Sequence, residues 1–116
     1  GTSRVVGDVT QVRGRELATV SSTRDPQVTG AGTLLVSVDL HGAVGPLWGT
    51  YHLANADGAW DGACAGASWD GGDAVDLACW LVGSGAYEGS TYHLNAQGTD
   101  ALEVEGTVIP GSPPGP

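Results

Sequence analysis

Three histidines, His41, His52 and His93, are the only imidazoles in the chain. Two of them belong to a repeated tetrapeptide, Thr50-Tyr51-His52-Leu53 and Thr91-Tyr92-His93-Leu94. If both segments are strands in equivalent positions, alternation puts His52 and His93 on one side of the wall, opposite Tyr51/Leu53 and Tyr92/Leu94. Facing an enclosed lumen they would suit a metal or an acid–base pair, because imidazole changes charge near neutrality. Facing solvent they are ordinary polar surface. Glu88, beside Tyr87 at the start of a strand, is the carboxylate best suited to act as a general base if it points into an apolar interior. On a rim it would simply be solvated. Asp70-Gly-Gly-Asp73-Ala-Val-Asp76 gathers three carboxylates around a tight turn, with Asp61 on the strand before it. Calcium takes six to eight oxygens, so such a turn can begin a site, but this spacing fits no EF-hand loop. The plainer reading is a solvated hairpin tip.

Other chemistries lack their residues. Gly83-Ser84-Gly85 reads as a turn and has no strand-to-helix step to make a nucleophile elbow. No phosphate loop, dinucleotide fingerprint or zinc spacing is present. A cofactor is therefore not expected, and a non-enzymatic role is favoured over catalysis. Trp48, Trp60, Trp69 and Trp80 are first of all core rings, since the chain has no Phe or Met and only three Tyr. Trp48 and Trp60 with Tyr51, Tyr87 and Tyr92 could instead gather at one end and stack on a sugar or a planar apolar ligand.

These side chains must be carried by strands. No apolar stretch keeps a 3.6-residue period over three turns, and 20 glycines interrupt any helix. Strand patterns recur at 4–13, 16–22, 28–40, 47–54, 59–68, 74–82, 90–96 and 102–109. Turn chemistry separates them at Arg13-Gly14, Arg24-Asp25-Pro26, His41 to Pro46, Asp57-Gly58, Gly71-Gly72, Gly83-Ser84-Gly85 and Gln97-Gly98. Alternation is clear in 75–81, where Val75, Leu77, Cys79 and Leu81 oppose Asp76, Ala78 and Trp80. It is clear again in 102–108, where Leu102, Val104, Gly106 and Val108 oppose Glu103, Glu105 and Thr107. Gly49, Gly62, Gly66 and Gly106, inside strands, mark bends or places where a large ring covers the backbone. The expectation is an all-β domain over residues 1–109, a single antiparallel up-and-down β-barrel of about eight strands, because closure removes exposed edges. A two-sheet β-sandwich is the rival. Residues 110–116, Pro-Gly-Ser-Pro-Pro-Gly-Pro, form a polyproline-like tail.

A two-residue turn at Gly71-Gly72 pairs residues whose numbers sum to 143, which sets Cys64 directly across from Cys79. Neighbouring strands hold such a pair at disulfide distance. The rival reading is two small buried thiols. A disulfide implies an oxidising compartment, so the chain is expected to be secreted, extracellular or at a cell surface. The net charge of −9 agrees with an exposed, soluble life, and its distribution is uneven. All four basic residues, Arg4, Arg13, Arg15 and Arg24, precede residue 25, and eleven carboxylates follow with no Lys or Arg. That surface repels phosphate backbones, so nucleic acid is excluded as a partner. No apolar run is long enough for a membrane-spanning helix, so membrane insertion is not expected.

The stretch 81–89, Leu-Val-Gly-Ser-Gly-Ala-Tyr-Glu-Gly, preceded by Gly58-Ala59-Trp60-Asp61-Gly62, resembles the core signature of allene-oxide-cyclase-like barrels of calycin type. Asp25-Pro26-Gln27-Val28-Thr29-Gly30, Gly45-Pro46-Leu47-Trp48-Gly49-Thr50 and Pro110-Gly111-Ser112-Pro113-Pro114 are similar to pieces of small secreted bacterial proteins. The resemblance spans roughly residues 25–114 and implies a barrel; its cyclase members shape a hydrophobic substrate, and no catalytic residue of theirs maps onto a position here. Because its elements are mostly Gly and aromatics, it speaks to fold more than to activity. The favoured function is a secreted, non-catalytic binding or structural module, acting on a glycan, on a partner, or on copies of itself as a homo-oligomer or filament. The alternative is a cyclase, an isomerase or a carrier holding a small apolar ligand in the lumen.

Overall fold

The first hairpin turns at Gly7-Asp8, inside the segment expected as one strand. β1 (Thr2–Val6) and β2 (Val9–Ser21) pair antiparallel with Val6 opposite Val9. Gly7 sits at φ 59, the left-handed conformation that a two-residue hairpin needs. Arg13-Gly14, expected as a turn, is a β-bulge within β2: the register against the next strand slips between Val12 and Arg15. Gly14 at φ 63 serves a bulge as readily as a turn, so the dipeptide does not by itself separate the two.

The computed structural model describes residues 2–21, 26–99 and 102–111. After a 3-10 turn over Pro26–Val28 come β3 (Gly30–His41), β4 (Gly45–Ala54), β5 (Gly58–Trp69), β6 (Ala74–Gly85), β7 (Ser90–Gly98) and β8 (Leu102–Pro110). Gly83-Ser84-Gly85 proves to be strand: Gly58 pairs with Gly85, and the chain reverses over Ala86 to Gly89. Tyr87 folds back over the strand end there, and a Cβ on Gly83 would collide with the Tyr87 backbone. Pro110 closes β8 opposite Ser90, and Gly111 N–H donates to Gly89 O at 2.8 Å. The rest of the Pro-rich tail, 112–116, lies outside the described residues.

The described strands form one eight-stranded sheet in the order β1 to β8, each antiparallel to the next. The all-β meander is as expected, and its closure is not: among the described residues no ladder joins β1 to β8. Five-residue β1 covers only the first part of β2 and pairs no residue beyond Arg13. Among the described residues the result is one antiparallel sheet without a closing ladder, in place of the expected closed barrel.

That sheet still buries one face. Trp60, Cys79 and Leu81 are fully buried, with Leu34, Val36, Leu47, Leu53, Leu77 and Leu94 packed beside them. A single sheet hides a face this completely only by curling over it. Glycine permits the curl. On the inward side of β4 and β5, a Cβ at Gly49, Gly62 or Gly66 would strike the backbone of the adjoining strand at Leu35, Trp80 or Asp76. At Gly106 the obstruction is the Tyr92 ring, so both expected roles of strand glycines occur.

Two features lock the curled sheet. Cys64 and Cys79 are directly paired across β5 and β6, Cα atoms 4.1 Å apart, and are disulfide-bonded as the turn arithmetic predicts. The loop between them holds four residues, 70–73, in place of two, but extends symmetrically and leaves the register unchanged. At the opposite end the 3-10 turn is tied down: Trp60 Nε1 donates to Gln27 O at 2.8 Å and Asn55 Nδ2 to Thr29 O at 3.0 Å. Tyr87 O–H donates to Asn55 Oδ1 at 2.9 Å, and its ring stacks on Trp60 at 5.1 Å.

Candidate functional site

With one face filled by the protein's own side chains, the outer face of the central strands is what remains for recognition. Register aligns its residues in rows. Leu35, Thr50, Ala63, Trp80 and His93 lie abreast across β3 to β7. Trp48, Ala65 and Ala78 form the adjoining row, and Thr33, His52, Asp61 and Val82 the next. On β5 the outward side chains Ala63, Ala65 and Ala67 are small, so the strand forms a low floor between Trp48 on β4 and Trp80 on β6. Two strand spacings and an offset of one row separate those positions, about 12 Å.

Beside this floor lies a shallow depression of about 380 Å³, lined by Thr33, Leu35, Thr50, His52 and Asp61 together with Tyr51 and Gly62. His52 Nδ1 is hydrogen-bonded to Asp61 Oδ1, and both side chains are more than half exposed. Leu35 in this lining and Trp48, in the row adjoining Thr50, are exposed apolar groups. Each tryptophan is braced by a neighbour. The Arg13 guanidinium lies over the Trp48 ring at 5.0 Å while pairing with Asp39 at 2.8 Å. Trp80 stacks on His93 with ring centroids 4.0 Å apart. The β2 bulge at Arg13-Gly14 is the element that brings Arg13 to this position. The ensemble offers flat apolar rings, a carboxylate, an imidazole and a hydroxyl on an open surface. Such a set suits a ligand with one apolar face and a polar rim.

The residues singled out in the sequence divide between the two faces. Trp60, Tyr51, Tyr87 and Tyr92 are inward and buried, with Tyr92 edge-on to Trp60 at 5.9 Å. Trp48 is outward. His52 and His93 share a side, opposite their neighbouring Tyr and Leu, and that side is the outer surface. They sit on β4 and β7, three strands apart and in different rows, and are not brought together. Glu88 is exposed in the loop before β7, pointing into no apolar interior. His41 is exposed at the end of β3.

Asp70, at φ 53, and Asp73 sit in the exposed 70–73 loop, with Asp76 exposed on β6. Asp61 is at the far end of β5, opposite Val82. Among the described residues no three metal-capable side chains cluster.

The His52–Asp61 pair went unread in the sequence although a signal exists. Residues facing across β4 and β5 sum to 113, and a turn centred on Ala56-Asp57 gives that register. Centring the turn on Asp57-Gly58 shifts the pairing by two residues and sets His52 across from Ala63 instead. Against family models, curated proteins and solved structures alike, this chain finds no match.

Proposed function

We propose that this chain is an exported, non-catalytic binding module, a barrel wall open at one seam, that takes a glycan on the outer face of β3 to β6. The observation that carries the reading is the outer-face depression lined by Thr50, His52 and Asp61, with the Ala63–Ala65 floor between Trp48 and Trp80 beside it. A sugar ring has a C–H face that stacks on indole and a rim of hydroxyls that a carboxylate and imidazole bind. The Cys64–Cys79 disulfide is compatible with an extracellular setting. Among the described residues no helix is long and apolar enough to cross a membrane. A carrier or cyclase is supported less, because Trp60, Tyr51, Tyr92, Leu81 and Leu94 occupy the inward positions that such a lumen requires.

The test is a panel of immobilised and soluble glycans, with binding followed by tryptophan fluorescence and calorimetry. Binding is expected, with Asp61→Asn and Trp80→Ala each weakening it about tenfold, or about 1.4 kcal/mol. The two variants should leave the circular dichroism spectrum and disulfide intact. A folded protein that binds no glycan in the panel overturns the reading.

A further inference from the structure

The open seam is a second surface, distinct from the outer-face depression. Its two borders are β1 and β8, and among the described residues neither has a partner strand on its outer side. All five residues of β1 are exposed, Val5 at 71%. On β8, residues Glu103 to Thr107 are exposed, including Val104 at 38%.

The two borders match in both charge and face. On β1, Arg4 pairs with Gln11 and so lies in the outer row that continues to Asp39. Val5 pairs with Thr10, whose next neighbour is buried Leu40, so Val5 belongs to the inner face. On β8, Glu105 is opposite Asn95 on the outer face and Val104 is opposite buried Ala96 on the inner. One antiparallel register therefore sets Arg4 across from Glu105 and Val5 across from Val104 at once. Val6 then falls beside Glu103. A slip of one residue would place every side chain on the wrong face.

The charge distribution selects the occupant. Residues 1–24 carry all four arginines and two carboxylates, and residues 25–116 carry eleven carboxylates and no Lys or Arg. Two β8 edges meeting would oppose Glu103 and Glu105 to their own copies. Among the described residues, the border formed by β1 and the stretch of β2 beyond it has cations to offer them, Arg4 on β1 and Arg15 on β2. We infer that β8 accepts the β1 strand of a second copy, continuing the sheet head to tail with Arg4 against Glu103 and Glu105 and Val5 against Val104. This is strand addition at an open edge, and a heterologous contact of this kind builds a ring or a filament. Backbone pairing supplies most of the attraction, and the side chains set its register and direction.

The experiment is a Val5→Cys/Val104→Cys double variant, oxidised at high protein concentration with the native disulfide intact. Both positions are exposed, so the fold should tolerate the change. Cross-linked dimers and higher multimers are expected on a non-reducing gel, and light scattering of the unmodified protein should show mass rising with concentration at low salt. Arg4→Glu should lower the cross-linked yield about tenfold, and adding Glu105→Arg in the same chain should restore it. Two results overturn the inference. One is a monomer whose two new thiols are joined to each other, which would mean that β1 closes on its own β8. The other is an uncross-linked monomer at every concentration and salt. Neither bears on glycan binding, which uses different residues.

Discussion

Strands β6 and β1 both place apolar side chains on the inner face and meet opposite fates. On β6, Leu77, Cys79 and Leu81 are almost wholly buried; on β1, Val5 is 71% exposed. The backbone at β6 is paired along both edges, twelve residues with β5 and eight with β7, whereas β1 has five pairs on one edge and none on the other among the described residues. Alternation states which residues share a face. Whether that face is covered depends on strands farther out in the sheet and on how sharply the sheet curls. At the centre the Gly49, Gly62 and Gly66 bends bring the cover down; at the margin nothing does.

The sharpest way to break the contrast is to empty the centre. Trp60 is fully buried, stacks on Tyr87, meets Tyr92 edge-on and donates to Gln27 O. Trp60→Ala removes a large ring and leaves a carbonyl without its donor, so it should cost about 3–5 kcal/mol. Urea denaturation followed by circular dichroism measures it. A loss below about 1 kcal/mol would mean that the packing around Trp60 relaxes easily and does not hold the centre of the sheet.

The disulfide comes next. It joins Cys64 and Cys79 across strands already held by backbone pairing, with a sequence separation of 15. Its contribution should therefore act mainly on the unfolded chain, by closing a loop, and amount to about 3 kcal/mol. Cys64→Ala/Cys79→Ala should lower the denaturation midpoint accordingly while the folded near-ultraviolet spectrum stays close to the original. A changed folded spectrum would show that the bridge also shapes the native curl.

What could be read in advance follows the same division. The strands of the centre were legible because tight symmetric turns and strict alternation agree there, and the Cys64–Cys79 pair follows from one turn position. The margins were not. Gly7-Asp8 lay hidden inside an apolar run, while Arg13-Gly14 advertised a turn and delivered a bulge, both using the same left-handed glycine. The expectation of closure rests on the penalty for free edges, a general tendency that the short β1 does not satisfy. The tetrapeptide echo correctly paired inward Tyr51 with Tyr92 and outward His52 with His93. The outer-face site was the least visible, since small alanines and a cross-strand His–Asp pair carry no motif and emerge only once register is known.

The smallest expected effect tests the margin from the other side. Val5→Ala removes two methyl groups from a side chain already 71% exposed, on a strand with one neighbour. In dilute, low-concentration solution its cost to folding should stay within about 0.5 kcal/mol, the usual range for surface changes. The identical deletion of apolar surface in a buried position on β6 would cost several times more, because there the lost contacts leave a cavity. If Val5→Ala instead destabilises the dilute monomer by 2 kcal/mol or more, then β1 is covered in solution by its own chain. The margin would behave as centre, and the seam between β1 and β8 would be closed within one molecule.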